Sequence, residues 1–452
     1  MHTESDLQTA LSNNTVTAIT VAANITLSAT PATVGRSLAV TGDPAACSPG
    51  LCTINGAGHR IFKVSSPSAP AVLSLTTLGL INASDAADGL GGGAVLLLAG
   101  NSAANSPSLT VTGCVFSGNN ATGIGPGGAI AVNPSTLPAT SAAMTITNSV
   151  FTSNYAFTVA GAIFAYGPTT VSGTTFSSNA ATFPPTQLTN TSLGGPGSNG
   201  LGFGGALVLG TCGTPTTGSL TVTNGAFSSN AGSLGGGIVC GTDCVCTVTG
   251  TTFTANSATG AFLVGNTGLS GSGGAIAGLP GASIVASGAT FSGNVAGNEG
   301  GAVWMSGTKQ GSISYALGGL FGFSGHGSLA STVAAAVYTL PGGQASVALP
   351  AVLVQGAFTG CTFSGCTAVT GGCIYLEGNA GVLSLTNTAV SGGSATKKGG
   401  CIYSATSSNV TLTGVNASGC SSGLAGGALA VGGTANVTVS GGVFQSSSTL
   451  AK

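Results

Sequence analysis

The sequence predicts an all-β protein, a parallel β-helix (solenoid) of about 12–14 coils with about 27 residues in each coil. Two motifs recur along the chain. Gly-Gly-Ala-Ile-Ala-Val, residues 127–132, is one of nine Gly-Gly copies, and Phe-x-x-Asn occurs six times. Near the end, the equivalent positions Phe363, Val390, Ala417 and Phe444 are each 27 residues apart. A repeat of this length indicates stacked turns of short strands.

The composition agrees with strands and argues against several functions. Only 15 of 452 residues are charged, 79 are glycine, and the net charge is −1. Few glutamates or lysines and many β-branched residues disfavour long helices. A near-neutral chain offers no basic patch for nucleic acid. Between Asp88 and Glu299 the only charged residue is Asp243, so we expect no enzyme, no catalytic or metal-binding residues and no cofactor.

Residues 1–50 are predicted to form a lead-in and cap. Val16–Val21 and Asn24–Leu27 alternate apolar and polar residues, which is the period of a half-buried strand. The polar turn at residues 6–11 is placed to cover the open end of the stack, as solenoids require.

Residues 51–305 are predicted to be regular β-helix repeats. We expect the phenylalanines to stack inside, the asparagines to occupy turns with positive φ and form an amide ladder, and the glycine pairs to make a sharp corner. The expected structural ladder consists of Phe116, Asn119, Phe151, Asn154, Phe176, Asn179, Phe227, Asn230, Phe253, Asn256, Phe291 and Asn294.

The later part of the chain departs from this pattern. Residues 306–357 form an irregular insertion, and 358–452 are predicted to be C-terminal repeats cut in mid-repeat. The array therefore predicts continuation, end to end or in a longer chain. Other insertions fall at corners, after Phe-x-x-Asn (180–203 and 257–272) or after Gly-Gly. The last four units replace the ladder asparagine with Cys366, Gly393, Cys420 and Ser447.

Twelve cysteines indicate an oxidising compartment. Cys47 and Cys52 are predicted to close a short loop. Cys212 and Cys244 are expected side by side in neighbouring turns; a zinc site with Cys240 and Cys246 is the alternative. Cys373 and Cys401 occupy one position in adjacent turns, where a disulfide competes with two buried thiols. Cys366 and Cys420 lie two turns apart and are not expected to pair.

The few charged groups were weighed as candidate sites. Asp85 and Asp88 could bind Ca²⁺ or act as an acid–base pair, with Arg60 and Lys63 nearby, or they could simply lie at a solvated corner of the coil. We prefer the interpretation as a solvated corner. His59 and His326 are interpreted as surface or capping residues, and Lys397–Lys398 as a solvated corner rather than a contact for an acidic glycan.

The paired motifs resemble the repeats of chlamydial polymorphic outer membrane proteins, and more closely the related repeats of green algae. The segment Cys52-Thr-Ile-Asn-Gly-Ala-Gly-His-Arg-Ile-Phe-Lys-Val64 is similar to the start of the algal type. The resemblance spans roughly residues 50–445 and implies a right-handed parallel β-helix of the pectin lyase-like kind. In the bacterial family such repeats form an exported passenger implicated in adhesion, and no catalytic residues carry over.

Three functions are therefore expected in order. The first is a non-catalytic extracellular or cell-surface protein for adhesion or cell-wall and matrix contact, with polysaccharide or glycoprotein as partner. Its contact face is predicted at the loops 180–203 and 257–272, and the bacterial outer membrane is the alternative location. The second is a polysaccharide lyase or hydrolase using Asp85 or Asp88. The third is a structural spacer. The sequence contains no stretch of 18 uninterrupted apolar residues, so it predicts no transmembrane helix.

Overall fold

The computed structural model confirms a parallel β-helix. It describes residues 1–47, 50–65, 70–85, 88–99, 105–122, 125–134, 142–181, 202–210, 212, 218–259, 271–306, 355–377, 381–405 and 408–449. Nearly every strand pairs in parallel with the equivalent strand of the next coil. No helix in these residues is long and apolar enough to cross a membrane. Most of the predicted insertion 306–357, including His326, lies outside the described residues, as do 182–201 and 260–270 of the predicted contact loops.

Each regular coil contributes strands to four rows, taken in chain order. Row 1 and row 2 belong to one sheet of 24 strands, row 3 is a sheet of 10 strands, and row 4 is a sheet of 11 strands. Row 1 contains 13 strands, within the predicted number of coils: Ala18–Val21, Leu38–Gly42, Val72–Thr76, Ser108–Thr112, Met144–Thr147, Thr169–Ser172, Ser219–Thr223, Val245–Thr249, Ser283–Ser287, Gln355–Thr359, Val382–Thr386, Asn409–Ser418 and Asn436–Gln445.

Row 2 follows row 1 after a tight corner, and the two ten-residue strands Asn409–Ser418 and Asn436–Gln445 continue into it. Its other strands are Ile25–Thr26, Cys52–Asn55, Leu78–Ile81, Val115–Ser117, Val150–Thr152, Thr175–Ser177, Ala226–Ser228, Thr252–Thr254, Thr290–Ser292, Thr362–Ser364 and Ala389–Ser391.

Rows 3 and 4 lie on either side of the glycine corner. Row 3 has two-residue strands: Asn120–Ala121, Tyr155–Ala156, Ala180–Ala181, Ala231–Gly232, Ser257–Ala258, Val295–Ala296, Thr367–Ala368, Ser394–Ala395, Ser421–Ser422 and Ser448–Thr449. Row 4 contains Phe62–Ser65, Val95–Ala99, Ile130–Pro134, Ile163–Ala165, Leu207–Leu209, Ile238–Cys240, Ile276–Gly278, Val303–Ser306, Ile374–Glu377, Ile402–Ser404 and Leu429–Val431.

The first coil is covered by a helix, Glu4–Ser12. Thr3 caps it in a reciprocal arrangement with Asp6. Leu7 and Leu11 are buried against the core. The Arg36 guanidinium donates to the carbonyls of Ala10 and Leu11, at 2.9 and 3.0 Å, and thereby binds the last carbonyl groups of the helix. The predicted cap is therefore a short amphipathic helix.

The predicted phenylalanine stack is present inside row 2. From Phe116 to Phe291 the rings of successive coils lie 4.6–5.0 Å apart between centroids and nearly parallel, and Phe363 extends the stack at 4.6 Å. All of these rings are fully buried. Each contributes about 2–3 kcal/mol through burial, so the stack is a main source of cohesion between coils.

The predicted asparagine ladder is also present, and all six asparagines are buried. The Asn154 side-chain nitrogen, for example, donates to Asn179 Oδ1 at 2.9 Å and to the Phe116 carbonyl at 3.0 Å. Its Oδ1 accepts from the backbone and side-chain nitrogens of Asn119. Each interior amide thus makes four hydrogen bonds that join three coils.

The prediction of positive φ at these asparagines was wrong. The residue immediately before each one has positive φ instead; in order along the ladder these are Gly118, Ser153, Ser178, Ser229, Ala255 and Gly293. The physical reason is the side-chain direction. The turn must be completed before the asparagine so that its amide faces the buried ladder rather than solvent.

The two glycines of each corner have different roles. Gly204 has φ +65, a conformation that favours glycine. Gly205 is required because there is no room for a side chain: a Cβ would lie 2.2 Å from the Gly236 carbonyl oxygen and 2.5 Å from the Ala231 nitrogen. Ala160-Gly161 is a weaker copy of this corner, and there Ala160 takes the place of the first glycine with φ +59. The corner therefore needs a left-handed residue followed by one without a side chain.

The last described coil is exposed. All residues of Asn436–Gln445 are exposed, and their apolar side chains include Val439 at 51% and Phe444 at 41%. The strand is paired on one side with Asn409–Ser418. Its core-type side chains therefore lack the apolar neighbours that cover the equivalent residues in earlier coils.

Candidate functional site

Five ionisable residues of the early coils line one cleft of about 470 Å³. These residues are His59, Arg60, Lys63, Asp85 and Asp88, and Thr30 and Thr33 also line the cleft. The structure therefore brings together the residues weighed from the sequence as an acid–base or cation site. Their contacts decide what they do.

Asp88 is bound by two cations. Both Arg60 terminal nitrogens donate to its carboxylate, at 2.8 and 2.7 Å, and Lys63 Nζ donates at 3.1 Å. Burial raises the pKa of Asp88, but the hydrogen bonds and charge of Arg60 outweigh this and hold the pKa well below its usual range. Asp88 therefore stays ionised at neutral pH and cannot donate a proton as a general acid.

Asp85 is buried and binds backbone. Its carboxylate accepts from the nitrogens of Gly91 and Thr122, at 3.0 and 2.7 Å. Arg60 also donates to the carbonyls of Gly91 and Gly92. The solvated corner expected from the sequence is thus a buried clamp that fixes the first glycine corner. His59 lies 3.5 Å from Thr30 Oγ1, and Lys397 and Lys398 are exposed.

A second group of acidic residues lies beside the only tryptophan. Trp304 Nε1 donates to Glu299 Oε2 at 2.9 Å. Tyr375 is the register partner of Trp304, and Glu377 that of Ser306. Burial, then the charge of Glu377, raises the pKa of Glu299 to about 7, and burial raises the pKa of Glu377. We therefore expect Glu299 to exchange its proton near neutral pH.

Sequence reasoning missed this acidic–aromatic cluster because its members are far apart in the chain. The signal was present in the glycine register. Trp304, Tyr375 and Tyr403 each stand four residues after the first corner glycine, and the rings of Tyr375 and Tyr403 stack at 5.2 Å. Trp304 is fully buried and Tyr375 is 8% exposed, so neither presents an open platform to a ligand.

The cysteines form four disulfides among the described residues. Cys47–Cys52 and Cys212–Cys244 are present as predicted, each with Cα atoms 5.1 Å apart. Cys240 bonds to Cys246, so the four cysteines of the zinc alternative form two disulfides.

Neither alternative weighed for Cys373 and Cys401, a disulfide between them or two buried thiols, is present in full. Cys401 bonds to Cys420, with Cα atoms 5.5 Å apart, and Cys373 is a buried thiol. Position 393, which would otherwise separate these coils, is glycine, and a Cβ there would lie within 3 Å of the Cys373 and Cys401 sulfurs. The missing side chain leaves Cys401 free to reach the next coil.

The outward face of row 1 carries an unbroken column of hydroxyl residues, here named the Thr column. One threonine or serine from each of 13 coils stands in register, and all are exposed or half-buried: Thr20, Thr41, Thr76, Thr112, Thr147, Ser172, Thr223, Thr249, Ser287, Thr359, Thr386, Thr413 and Ser440. No member is charged, so the Thr column itself offers only hydroxyl groups and the methyl groups of its threonines.

A second column lies two residues earlier on the same strands. It reads Ser74, Thr110, Thr145, Thr170, Thr221 and Thr247, then Val285 and Ala357, then Ser384, Thr411 and Thr438.

Row 2 has its own outward column over nine coils, here named the Ser column: Ser117, Thr152, Ser177, Ser228, Thr254, Ser292, Ser364, Ser391 and Ser418.

Row 4 differs from rows 1 and 2. Its outward side chains include Phe164, Val208 and Val239, which are at most 2% exposed. Described residues such as Phe203 and Leu234 pack against them in a second apolar cluster. Among the described strands, the regular polar surface of the coil is therefore on rows 1 and 2.

Comparison with protein-family models, curated proteins and solved structures gave no match. The assignment of function therefore depends on the surface chemistry of the coil.

Proposed function

We propose that this protein is a non-catalytic extracellular or cell-surface repeat protein whose hydroxyl columns contact neutral polysaccharide or glycoprotein. The observation that carries the proposal is the Thr column, 13 in-register hydroxyl residues without a charge. Four disulfides fit an oxidising, extracellular setting. The resemblance of its repeats to those of polymorphic outer membrane proteins supports the same class.

The physical basis is the addition of many weak contacts. A hydroxyl both donates and accepts, as sugar hydroxyls do, and one such bond adds only about 0.5–1.5 kcal/mol. The stacked backbone holds all of the groups in place before binding, so little entropy is lost at each contact. A long ligand with repeating hydroxyl groups therefore gains the most binding affinity from this arrangement.

The alternative function, a polysaccharide lyase or hydrolase, is disfavoured because its two candidate catalytic residues already have other partners. Asp85 and Asp88 are both occupied in the clamp around Arg60 and the glycine corner, whereas a general acid and base must be free to exchange protons with substrate. The spacer alternative is compatible with the rigid stack and differs from the proposal in one respect, since a spacer binds no ligand.

Binding to immobilised neutral and acidic glycans tests the proposal. We expect wild-type protein to bind neutral glycans, and the double variant Thr223→Val/Thr249→Val to bind more weakly because it loses two neighbouring hydroxyls while keeping their shape. The matched Thr223→Ser/Thr249→Ser variant keeps the hydroxyls and should bind like wild type. Absence of wild-type binding would favour the spacer, and equal binding by all three proteins would remove the contact from the Thr column.

A further inference from the structure

The two columns of row 1 form a two-dimensional grid over five consecutive coils. We name it the threonine grid; it consists of Thr110, Thr112, Thr145, Thr147, Thr170, Ser172, Thr221, Thr223, Thr247 and Thr249. Each coil presents the pattern hydroxyl–apolar–hydroxyl. The middle residue, such as Val111 or Ile146, is buried in the core, so the two outer residues face away from it.

The grid has fixed spacings in both directions. Neighbouring coils are about 4.8 Å apart, and residues two apart on a strand are separated by roughly 6.6 Å. Five coils therefore give a surface roughly 20 Å long. These spacings are close to the repeat distances of oxygen atoms on a prism plane of hexagonal ice.

The grid is held rigidly from below. The Phe116–Phe291 stack and the Asn119–Asn294 ladder run through these same coils. Threonine is stiff about its first side-chain torsion, so its methyl and hydroxyl groups keep their positions when the backbone does. The pattern is therefore present before any ligand arrives.

The chemistry of the grid does not suit a small soluble ligand. It is part of an open sheet face, whereas small-molecule sites are concave. It contains no charge and no aromatic ring, so it offers a small ligand neither ion pairing nor ring stacking. What it does offer is a repeated pair of a methyl group and a hydroxyl group at lattice spacing.

We propose that the threonine grid binds the surface of an ice crystal. Water between the methyl rows has few hydrogen-bonding partners on the protein and is ordered by its neighbours, while the threonine hydroxyls anchor that layer by hydrogen bonds. The layer then continues the crystal lattice. This inference goes beyond contact with polysaccharide, because it names another ligand at one defined face.

Incorporation into a slowly growing ice hemisphere tests the proposal. Fluorescently labelled wild-type protein should be enriched in the ice relative to an inert protein of similar size, and should slow ice recrystallisation. The double variant Thr170→Tyr/Thr221→Tyr places two bulky rings on adjacent coils of the grid and should lose both effects. Circular dichroism and thermal melting establish that each variant is folded.

The matched control uses the same two coils. Ser177→Tyr/Ser228→Tyr adds the same rings to the Ser column, and should leave ice binding unchanged. If the double grid variant does not fold, the single variant Thr170→Tyr, paired with Ser177→Tyr, replaces it.

Three results would overturn the proposal: exclusion of the wild type from ice, equal loss in both matched variants, or ice binding that survives Thr170→Tyr in a folded protein. A parallel assay with insoluble neutral polysaccharide separates this proposal from the preceding one. Protein that binds polysaccharide but is excluded from ice keeps its proposed function and refutes only this inference.

Discussion

At the scale of single residues, the fold depends on side chains that are satisfied only by their counterparts in adjacent coils. Asn179 shows this most clearly, because it bonds to Asn154, Asn230 and the Phe151 carbonyl. Removing it leaves buried groups without partners in the coils on both sides. The energetic unit is therefore the contact between coils.

We predict that Asn179→Ala destabilises the protein by roughly 3 kcal/mol, because several buried hydrogen-bonding groups lose partners at once. Urea unfolding measures the change. Ser228→Ala, on the outward face of the next coil, is the control and should change stability by less than about 0.5 kcal/mol. Similar values for the two variants would contradict a structural role for the ladder.

A second prediction concerns Glu299 and pH. Its pKa is about 7 in the folded protein and 4.5 ordinarily. The folded state therefore holds the proton more tightly, so the contribution to stability is complete below pH 4.5 and is lost as the pH rises through 7. The total corresponds to roughly 3 kcal/mol at most.

Trp304 fluorescence during urea unfolding at pH 5 and pH 8 measures this dependence at the cluster itself. We expect the unfolding midpoint to fall as pH rises, and Glu299→Gln to remove most of the difference. A midpoint that is independent of pH in the wild type, or unchanged pH dependence in the variant, would refute the assignment.

At the scale of elements, corners and disulfides determine where a coil bends and where it is tied. The sequence was sufficient to predict the glycine corner, since its nine copies keep a constant relation to the strands. It was insufficient for Cys401, whose partner depends on the absence of a side chain at Gly393. The strand register places Cys373 beside Cys401. Packing around Gly393 determines that the Cys401 side chain points toward Cys420 instead.

Peptide mapping without reduction tests the disulfide assignment. We predict a peptide pair joined through Cys401 and Cys420, and alkylation of Cys373 only after unfolding because that thiol is buried. The variant Cys373→Ser should retain the bond. Detection of a Cys373–Cys401 pair in the native protein would contradict the structure.

The glycine corner gives a further prediction. Gly205→Ala should cost at least about 3 kcal/mol, because its Cβ meets backbone atoms at 2.2 and 2.5 Å. Gly293→Ala has φ +59 but open space around the new methyl group, so we expect a cost of only about 1 kcal/mol. Thermal unfolding of both variants compares them, and a larger effect at Gly293 would overturn the explanation.

The candidate sites show the limits of prediction from sequence. The cleft residues Arg60, Asp85 and Asp88 were identified, but their hydrogen bonds depend on how the second, third and fourth coils meet. Glu299 and Glu377 are separated by the long insertion, so sequence distance concealed their proximity. The Thr column became visible only when strand register was known.

At the scale of the whole molecule, the part of the chain that the structure describes is a stack in which each coil pairs with the coils on either side. Stability in such a protein is approximately a sum of repeat and interface contributions. The coils from Phe116 to Phe291 have both the ring stack and the amide ladder. The last coils replace these with Val390 and Ala417, and with Gly393.

We therefore predict unequal protection against hydrogen exchange along the stack. Row 2 amides between residues 115 and 292 should exchange more slowly than those between 389 and 445, because the interfaces around them are stronger. Hydrogen-exchange mass spectrometry measures both ranges in one experiment. Uniform protection would show that the molecule opens as a single cooperative unit.

The alternation of buried and exposed residues along row 1 also affects how this protein evolves. Val111, Ile146 and Val222 maintain the structure from inside, while their neighbours on the outer side have no part in the core. Mutations can therefore accumulate among the outward-facing residues of a strand while the buried residues that determine the fold stay the same. Such a chain is free to acquire a new binding surface one coil at a time while its architecture is inherited unchanged.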